Sequence, residues 1–120
     1  MTEKSFSKRD IENIQAILKF CEDIEYFIQL YGSSEMDFQE SLPLQYGCSF
    51  SLIQIGEHVK RLSSEVRDEY PDIDWRGAAG LRDIITHDYA RIDTRRVRSS
   101  ILTRVPPLAD VCRFILSRLS

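Results

Sequence analysis

Apolar residues recur every three or four positions along most of the chain, which predicts a series of amphipathic helices. The first stripe follows residues 7–10 (Ser-Lys-Arg-Asp), which resemble a capping box, and it ends near Gly32. Its members are Ile11, Ile14, Ile17, Leu18, Cys21, Ile24, Phe27, Ile28 and Tyr31. Residues 33–42 are short and polar, which predicts a loop or one short helix. We expect the stripe to face the core of a helical bundle.

A second long helix is predicted from Pro43, which suits a first helical turn, to the residue before Pro71. Its expected buried face comprises Tyr46, Phe50, Ile53, Gly56, Val59, Leu62, Val66 and Tyr70. Gly56 in mid-helix costs roughly 1 kcal/mol relative to Ala, and close approach of another backbone would explain it. Glu57 is expected to be a surface carboxylate or the partner of a later arginine. His58 has no metal-ligand partner at a sensible spacing and is expected to be structural or exposed.

A third helix is predicted to open after residues 72–75, with Asp74 as its N-cap and Trp75 packed against its start. The four small residues 77–80 (Gly-Ala-Ala-Gly) let a neighbouring helix come close. This helix is predicted to end near Tyr89 and Ala90.

The C-terminal segment predicts two more helices. Asp93 or Thr94 caps the fourth helix, and Pro106-Pro107 breaks or kinks it before a last amphipathic helix over residues 108–119. The pattern shows no convincing strand. We therefore predict an all-α fold, an antiparallel bundle of four to five helices in a single domain over residues 1–120, with residues 1–7 as a flexible N-terminus.

Composition and charge limit the classes of protein to which the chain can belong. The 42% hydrophobic and 29% charged content is typical of a soluble globular protein, and neither a membrane span nor a signal peptide is apparent, which favours the cytoplasm. Cys21, Cys48 and Cys112 fit neither a disulfide framework nor a zinc site, so they are expected to be reduced packing groups. Residues 1–75 carry 7 basic and 15 acidic side chains, whereas residues 76–120 carry 9 arginines and 4 acidic side chains.

The stretch from Arg82 to Tyr89 (Arg-Asp-Ile-Ile-Thr-His-Asp-Tyr) brings a guanidinium, a carboxylate, an imidazole and a phenol together within eight residues. Asp83 and His87 are four residues apart and so are neighbours on a helix, where the carboxylate would raise the pKa of the imidazole above about 6.5. An imidazolium can act as a general acid, and Arg82 can stabilise charge on a phosphorane-like transition state. Because RNA carries its own nucleophile in the 2′-hydroxyl, such a site can cleave RNA without a metal.

Helix geometry separates the two groups that this chemistry needs. Arg82 and His87 lie five positions apart, roughly 140° around a helix axis. Either the long arginine reaches around, or two copies of the chain meet so that both groups line one cleft. The alternative interpretation is a solvated ion-pair network at a helix end, in which the C-terminal dipole favours the His87 cation.

At these residues the chain resembles the HEPN superfamily, specifically the HepT-like ribonuclease toxins. The signature R-x-x-x-x-H, extended to H-x-Y, stands here as Arg82, His87 and Tyr89. Residues 55–57 (Ile-Gly-Glu), residues 70–76 (Tyr-Pro-Asp-Ile-Asp-Trp-Arg) and the Gly80-Leu81 pair before the arginine fit the same family. The resemblance covers about residues 8–119.

The resemblance implies a helical homodimer with metal-independent endoribonuclease activity, in which Arg82 and His87 are the catalytic pair and no cofactor is used. It also implies an antitoxin of the nucleotidyltransferase type, which adds AMP to Tyr89 and so places bulk and negative charge where the RNA phosphate would sit. One position departs from the family, because Asp83 stands where Asn is common. The Asp83 carboxylate either orients His87 or weakens RNA binding.

Further arginines supply a possible path for the RNA backbone: Arg91, Arg95, Arg96 and Arg98. Two other interpretations stay open. One is a non-catalytic helical dimer that binds a nucleotidyltransferase partner or a nucleotide, favoured by Asp83 and the acidic N-terminal half. The other is a purely structural four-helix module.

Overall fold

The computed structural model of the chain describes residues 6–84 and 92–119, and their regular structure is helical. The helices are α1 (Lys8–Tyr31), α2 (Glu35–Glu40), α3 (Leu42–Lys60), α4 (Ser64–Glu69), α5 (Trp75–Ala79), α6 (Thr94–Thr103) and α7 (Val105–Ser117), and a 3-10 helix (Gly80–Asp83) follows α5 directly. The all-α prediction is therefore confirmed. Within these described ranges, no helix is both long enough and apolar enough to cross a membrane.

Helices α1 and α3 form the central pair of the bundle. Their contacts join Asn13 to His58, Phe20 to Phe50, and Phe27 to Gly47. Because later residues of α1 meet earlier residues of α3, the two helices run antiparallel, as predicted. Helix α7 packs against α1, and α6 packs against α2 and α7.

One buried cluster joins the long helices. Its fully buried members come from the predicted stripe of α1, from the inner face of α3 and from α7, and they include Ile17, Cys21, Ile24, Leu52, Ile55, Val59 and Ala109. Apolar side chains removed from water in this way are the main favourable contribution to folding. The three cysteines are free and buried, which fits their predicted role as packing groups.

The predicted second helix is wrong in its C-terminal part, because α3 ends at Lys60 and α4 begins at Ser64. The buried carboxylate of Asp10 accepts hydrogen bonds from the backbone N (2.9 Å) and the Oγ (2.6 Å) of Ser63. Arg67 Nη2 donates to the carbonyl of Lys60 at 3.1 Å. Backbone polar groups without a partner at a helix end favour a continuous helix. These contacts supply such partners and so allow the break.

The same contact alters the start of α1. Ser7 Oγ accepts from the backbone N of Asp10 at 3.0 Å, so the first half of the predicted capping box is present. The Asp10 side chain points to Ser63 instead of returning to the cap. A sequence pattern that spans four residues holds no information about a partner 53 residues away.

Part of the predicted core is exposed. Tyr46 and Phe50 are 61% and 57% exposed, and they share the outer face of α3 with Leu42, which is 56% exposed. The prediction of a buried position for Tyr46 and Phe50 was wrong because α3 is apolar on two opposite faces, and only one of them meets the core. Three further apolar positions are also exposed: Tyr31, Leu102 and Leu119.

The third predicted helix is a short α-helix that tightens into the 3-10 helix at Gly80. Asp74 caps it as predicted, since its Oδ1 accepts from the backbone N of Gly77 at 2.9 Å. Trp75 is buried, and its Nε1 donates to the carbonyl of Tyr70 at 2.8 Å. The predicted end near Tyr89 lies outside the described residues.

The last two helices follow the prediction. Asp93 caps α6, since its Oδ1 accepts from the backbone N of Arg96 at 3.2 Å. The break falls at Arg104, and Pro106 and Pro107 lie in the first turn of α7, where the missing N–H group of proline leaves no helical bond unmade.

Candidate active site

Gly56 fixes the position of the 3-10 helix against α3. A Cβ atom at Gly56 would stand 2.9 Å from the carbonyl oxygen of Ala79 and closer still to the backbone N of Arg82. Backbone can approach this closely only where the facing residue has no side chain. The mid-helix glycine is thereby explained as predicted, and Leu81 and Ile84 complete the contact from buried positions.

The guanidinium of Arg82 lies between two carboxylates. Its Nη1 is 3.6 Å from Glu57 Oε1, and its Nε is 3.7 Å from Asp83 Oδ1. Both distances exceed the roughly 2.7–2.9 Å of a strong charge-assisted hydrogen bond. The Arg82 side chain is 34% exposed and that of Glu57 is 37% exposed, so solvent screens the pair. Of the two possibilities for Glu57, pairing with a later arginine is the one observed.

This arrangement leaves Arg82 able to bind an anion. The backbone is held rigidly at Gly56, whereas the side chain is held only by two long ion pairs. A phosphate offers the guanidinium two oxygens in a bidentate geometry that neither carboxylate provides here. An incoming phosphate can therefore replace the carboxylates without moving the backbone.

Three of the predicted site residues, His87, Tyr89 and Arg91, lie outside the described residues. Asp83 follows Arg82 in the 3-10 helix, with a side chain that is 68% exposed. The structure thus brings Arg82 and Asp83 together with Glu57. The proposed contact between Asp83 and His87 stays a prediction.

The arginines of α6 have three different surroundings. Arg98 Nε donates to the carbonyl of Ser33 at 2.7 Å and so ties α6 to the connection between α1 and α2. Arg95 is exposed. Arg96 is also exposed, but it borders a pocket.

This pocket lies between α5, the 3-10 helix and α6, with a volume of about 340 Å³. We name it the α6 pocket, and it is lined by Gly77, Gly80, Leu81, Ile84, Arg96, Ser99, Ser100, Thr103 and Arg104. The sequence prediction included Arg96 but missed the hydroxyl residues beside it. A signal was present, since Arg96, Ser99, Ser100 and Thr103 have the spacing of one helix face.

His58 has a structural role, as one of the two sequence interpretations held. Its Nδ1 donates to Asn13 Oδ1 at 2.8 Å, and its ring stacks on Phe20 with centroids 6.1 Å apart. Burial, with a contribution from nearby Arg61, lowers the pKa of His58. Across residues 6–84 and 92–119, no group of three or more His, Cys, Asp or Glu side chains is placed to hold a metal ion.

A helical protein with an accessible arginine on a rigid turn is suited to binding and processing phosphate-containing substrates, and the comparisons with known proteins specify the class. The family model described as "Ribonuclease HepT-like" matches residues 11–115. The chain therefore belongs to the Ribonuclease HepT-like family, which confirms the prediction of a HepT-like endoribonuclease.

Individual relatives agree with the family assignment. The chain is 32% identical over 106 residues to "Putative RNase TTE0752" of Caldanaerobacter subterraneus subsp. tengcongensis, covering 88% of this chain and 92% of that protein. It is 30% identical over 105 residues to "Putative RNase MJ0125" of Methanocaldococcus jannaschii, covering 84% and 86%. It is 29% identical over 94 residues to "Probable ribonuclease HepT" of Thermococcus cleftensis, covering 74% and 86%. No solved structure shows a significant match.

Proposed function

We propose that the chain is a metal-independent endoribonuclease toxin in which Arg82 and His87 form the catalytic pair. The observation that carries the proposal is the guanidinium of Arg82, whose side chain is 34% exposed on a turn fixed against Gly56. The 2′-oxygen of the RNA attacks the adjacent phosphorus, and the bond from phosphorus to the 5′-oxygen breaks. Arg82 stabilises the charge on the phosphoryl oxygens, and His87 donates a proton to the leaving 5′-oxygen while the 2′ proton passes to water.

The test is cleavage of a single-stranded RNA in EDTA by wild type, Arg82→Ala and His87→Ala. Removal of one group that stabilises transition-state charge costs about 10²–10³ in rate, and removal of a general acid costs about 10²–10⁴. Arg76→Ala is the matched control, because it removes an exposed arginine from α5 and should cleave like wild type. Equal activity in His87→Ala and wild type, or strict dependence on added metal, would contradict the mechanism.

The proposed homodimer is supported by the outer face of α3. Leu42, Tyr46 and Phe50 follow each other at four-residue spacing and are each more than half exposed. A helix that is apolar on all sides is normally buried on all sides. The same face continues to Glu57, seven residues after Phe50, and Glu57 contacts Arg82. A second copy on this face would therefore bring two Arg82 side chains into one cleft.

The oligomeric state of Phe50→Lys tests this interface by sedimentation. We expect a monomer that retains its helical content and loses RNA cleavage. Tyr26→Lys is the matched control, since Tyr26 is also 57% exposed but lies on α1, away from that face. A dimeric Phe50→Lys, or a monomeric variant with full activity, would refute the interface.

We further propose that the partner is a nucleotidyltransferase antitoxin that adds AMP to Tyr89, as the resemblance to HepT-like toxins implies. Incubation with such an enzyme and ATP should increase the mass of the chain by one AMP unit and stop RNA cleavage. Tyr89→Phe should gain no mass and stay active in the presence of the enzyme. Inhibition of Tyr89→Phe to the same extent would show that complex formation, and not modification, blocks the site.

A second candidate function is a non-catalytic dimer that binds a nucleotidyltransferase or a nucleotide. The observation in its favour is that Asp83 and Glu57 place two carboxylates within 4 Å of the guanidinium that should meet RNA. Stable complex formation with no RNA turnover by wild type would support this alternative. RNA binding that weakens steeply with salt would argue against it.

A further inference from the structure

We propose that the α6 pocket binds a second phosphate group of the RNA strand, next to the phosphate held by Arg82. This inference rests on the proposed function. The pocket volume of about 340 Å³ falls at the lower end of the roughly 300–1,000 Å³ of small-ligand sites, which suits one phosphate with part of its nucleotide. Two arginines and three hydroxyl side chains line the pocket, and none of the lining residues that the structure describes carries a carboxylate.

The two arginines differ in how they are held. Arg104 Nη1 donates to Asp74 Oδ2 at 2.8 Å, which fixes its guanidinium against Gly77 and leaves other N–H groups for a ligand. Arg96 has no ion-pair partner among the residues that the structure describes. The pocket thus combines Arg104, which is held by an ion pair, with Arg96, which has no such partner among the described residues.

The hydroxyl groups supply the neutral donors. Thr103 Oγ1 already donates its proton to the carbonyl of Ser99 at 2.7 Å, so its hydroxyl can only accept. Ser99 and Ser100 are therefore the donors available to a phosphate. They lie three and four residues after Arg96, on the same face of α6.

The pocket and the candidate active site share one turn of backbone. Leu81 borders the pocket, and the next residue, Arg82, extends to Glu57 on the side of α3. A strand that places one phosphate at Arg82 therefore passes the pocket with a neighbouring phosphate. Two anion sites on one rigid turn would fix the register of the strand at the reacting bond.

The experiment measures binding of a 2′-O-methylated single strand, which cannot be cleaved, by fluorescence anisotropy at several salt concentrations. Arg96→Gln is compared with Arg76→Gln, an equal loss of charge at an exposed residue of α5 that does not line the pocket. We expect Arg96→Gln to weaken binding about tenfold, the size of a lost charge-assisted hydrogen bond. Its salt slope should fall by about one unit, and Arg76→Gln should change binding much less.

A second pair of variants removes space instead of charge. A Cβ atom at Gly80 would meet no atom of the described residues within 4 Å, and its φ of −67° suits any residue. Gly80→Leu should fill the pocket and weaken binding as Arg96→Gln does, whereas Gly80→Ala, which adds a single methyl group, should weaken it far less. Urea unfolding of both variants checks that the bundle is intact.

Equal effects of Arg76→Gln and Arg96→Gln would overturn the inference, because they would indicate long-range attraction without a subsite. Normal binding by folded Gly80→Leu would also overturn it. Free AMP tests whether the pocket binds the phosphate of a nucleotide instead of the RNA backbone. If Arg96→Gln weakens AMP binding and leaves RNA binding unchanged, the RNA assignment is refuted. If wild type cleaves RNA and these variants bind RNA normally, only the proposed subsite is refuted. If wild type neither binds nor cleaves RNA, the proposed function is refuted as well.

Discussion

Gly56→Ala should destabilise the protein although alanine is the better helix former. The substitution gains about 1 kcal/mol of helix propensity. The new Cβ atom, however, would meet the backbone N of Arg82 and the carbonyl oxygen of Ala79, which stands 2.9 Å away. Both are main-chain atoms that cannot rotate aside, so the cost should lie near the upper end of the roughly 1–3 kcal/mol of overpacking. We expect a net loss of about 1–2 kcal/mol in the free energy of unfolding.

The same displacement should reduce activity beyond the loss of stability. The 3-10 helix must move away from α3 and carry Arg82 with it, and a misplacement of about 1 Å can cost roughly 10²-fold in rate. Urea unfolding gives the free energy, and RNA cleavage well below the unfolding midpoint gives the rate. Gly80→Ala is the matched control, because a Cβ atom there meets none of the described residues within 4 Å and should stabilise by up to about 1 kcal/mol. A Gly56→Ala protein that is as stable and active as Gly80→Ala would refute the argument.

Three further outcomes follow from buried polar groups. Asp10→Asn should cost about 1–3 kcal/mol in urea unfolding, since Ser63 would lose a charged acceptor for two hydrogen bonds. Burial lowers the pKa of His58. The stability that the neutral imidazole contributes is therefore complete above about pH 6.5, and it is lost as the pH falls through the pKa of the folded state. His58→Gln should flatten this acid limb, and an unchanged pH profile of unfolding would count against it. Burial raises the pKa of Cys48 and Cys112 to about 12, so both should react slowly with a thiol reagent at pH 8 and rapidly in urea, and fast reaction of the folded protein would contradict this.

The sequence predicted those parts of the fold that depend on local pattern. The limits of α1, the cap at Asp74, the cap at Asp93 and the break before α7 all follow from residues within one helical turn. The break between α3 and α4 could not be found in this way. It depends on the carboxylate of Asp10, which is distant in sequence and reaches Ser63 only in the folded bundle.

Burial on α3 was mispredicted for a different reason. Hydrophobic periodicity identifies an apolar face but not what covers it, and α3 has two such faces. The inner face is buried in the core cluster, whereas Tyr46 and Phe50 lie on the outer face and are more than half exposed. At the candidate site, the residue type of Arg82 alone predicted a role in anion binding. The choice of Arg82 as the partner of Glu57 depends on the packing of Gly56 against the 3-10 helix, which only the folded structure shows.

The strengths of two interactions, the Arg82–Glu57 ion pair and the Arg82–phosphate contact, decide whether Glu57 prevents RNA from binding to Arg82. A partly exposed ion pair contributes about 0–1 kcal/mol, and the 3.6 Å separation of Arg82 and Glu57 places this pair at the weak end. A charge-assisted hydrogen bond contributes about 1.5–3 kcal/mol, and a phosphate accepts two from one guanidinium. An RNA phosphate should therefore displace Glu57 and not be excluded by it. In the free protein so weak a pair leaves the guanidinium free to turn toward a phosphate, as the proposed function requires.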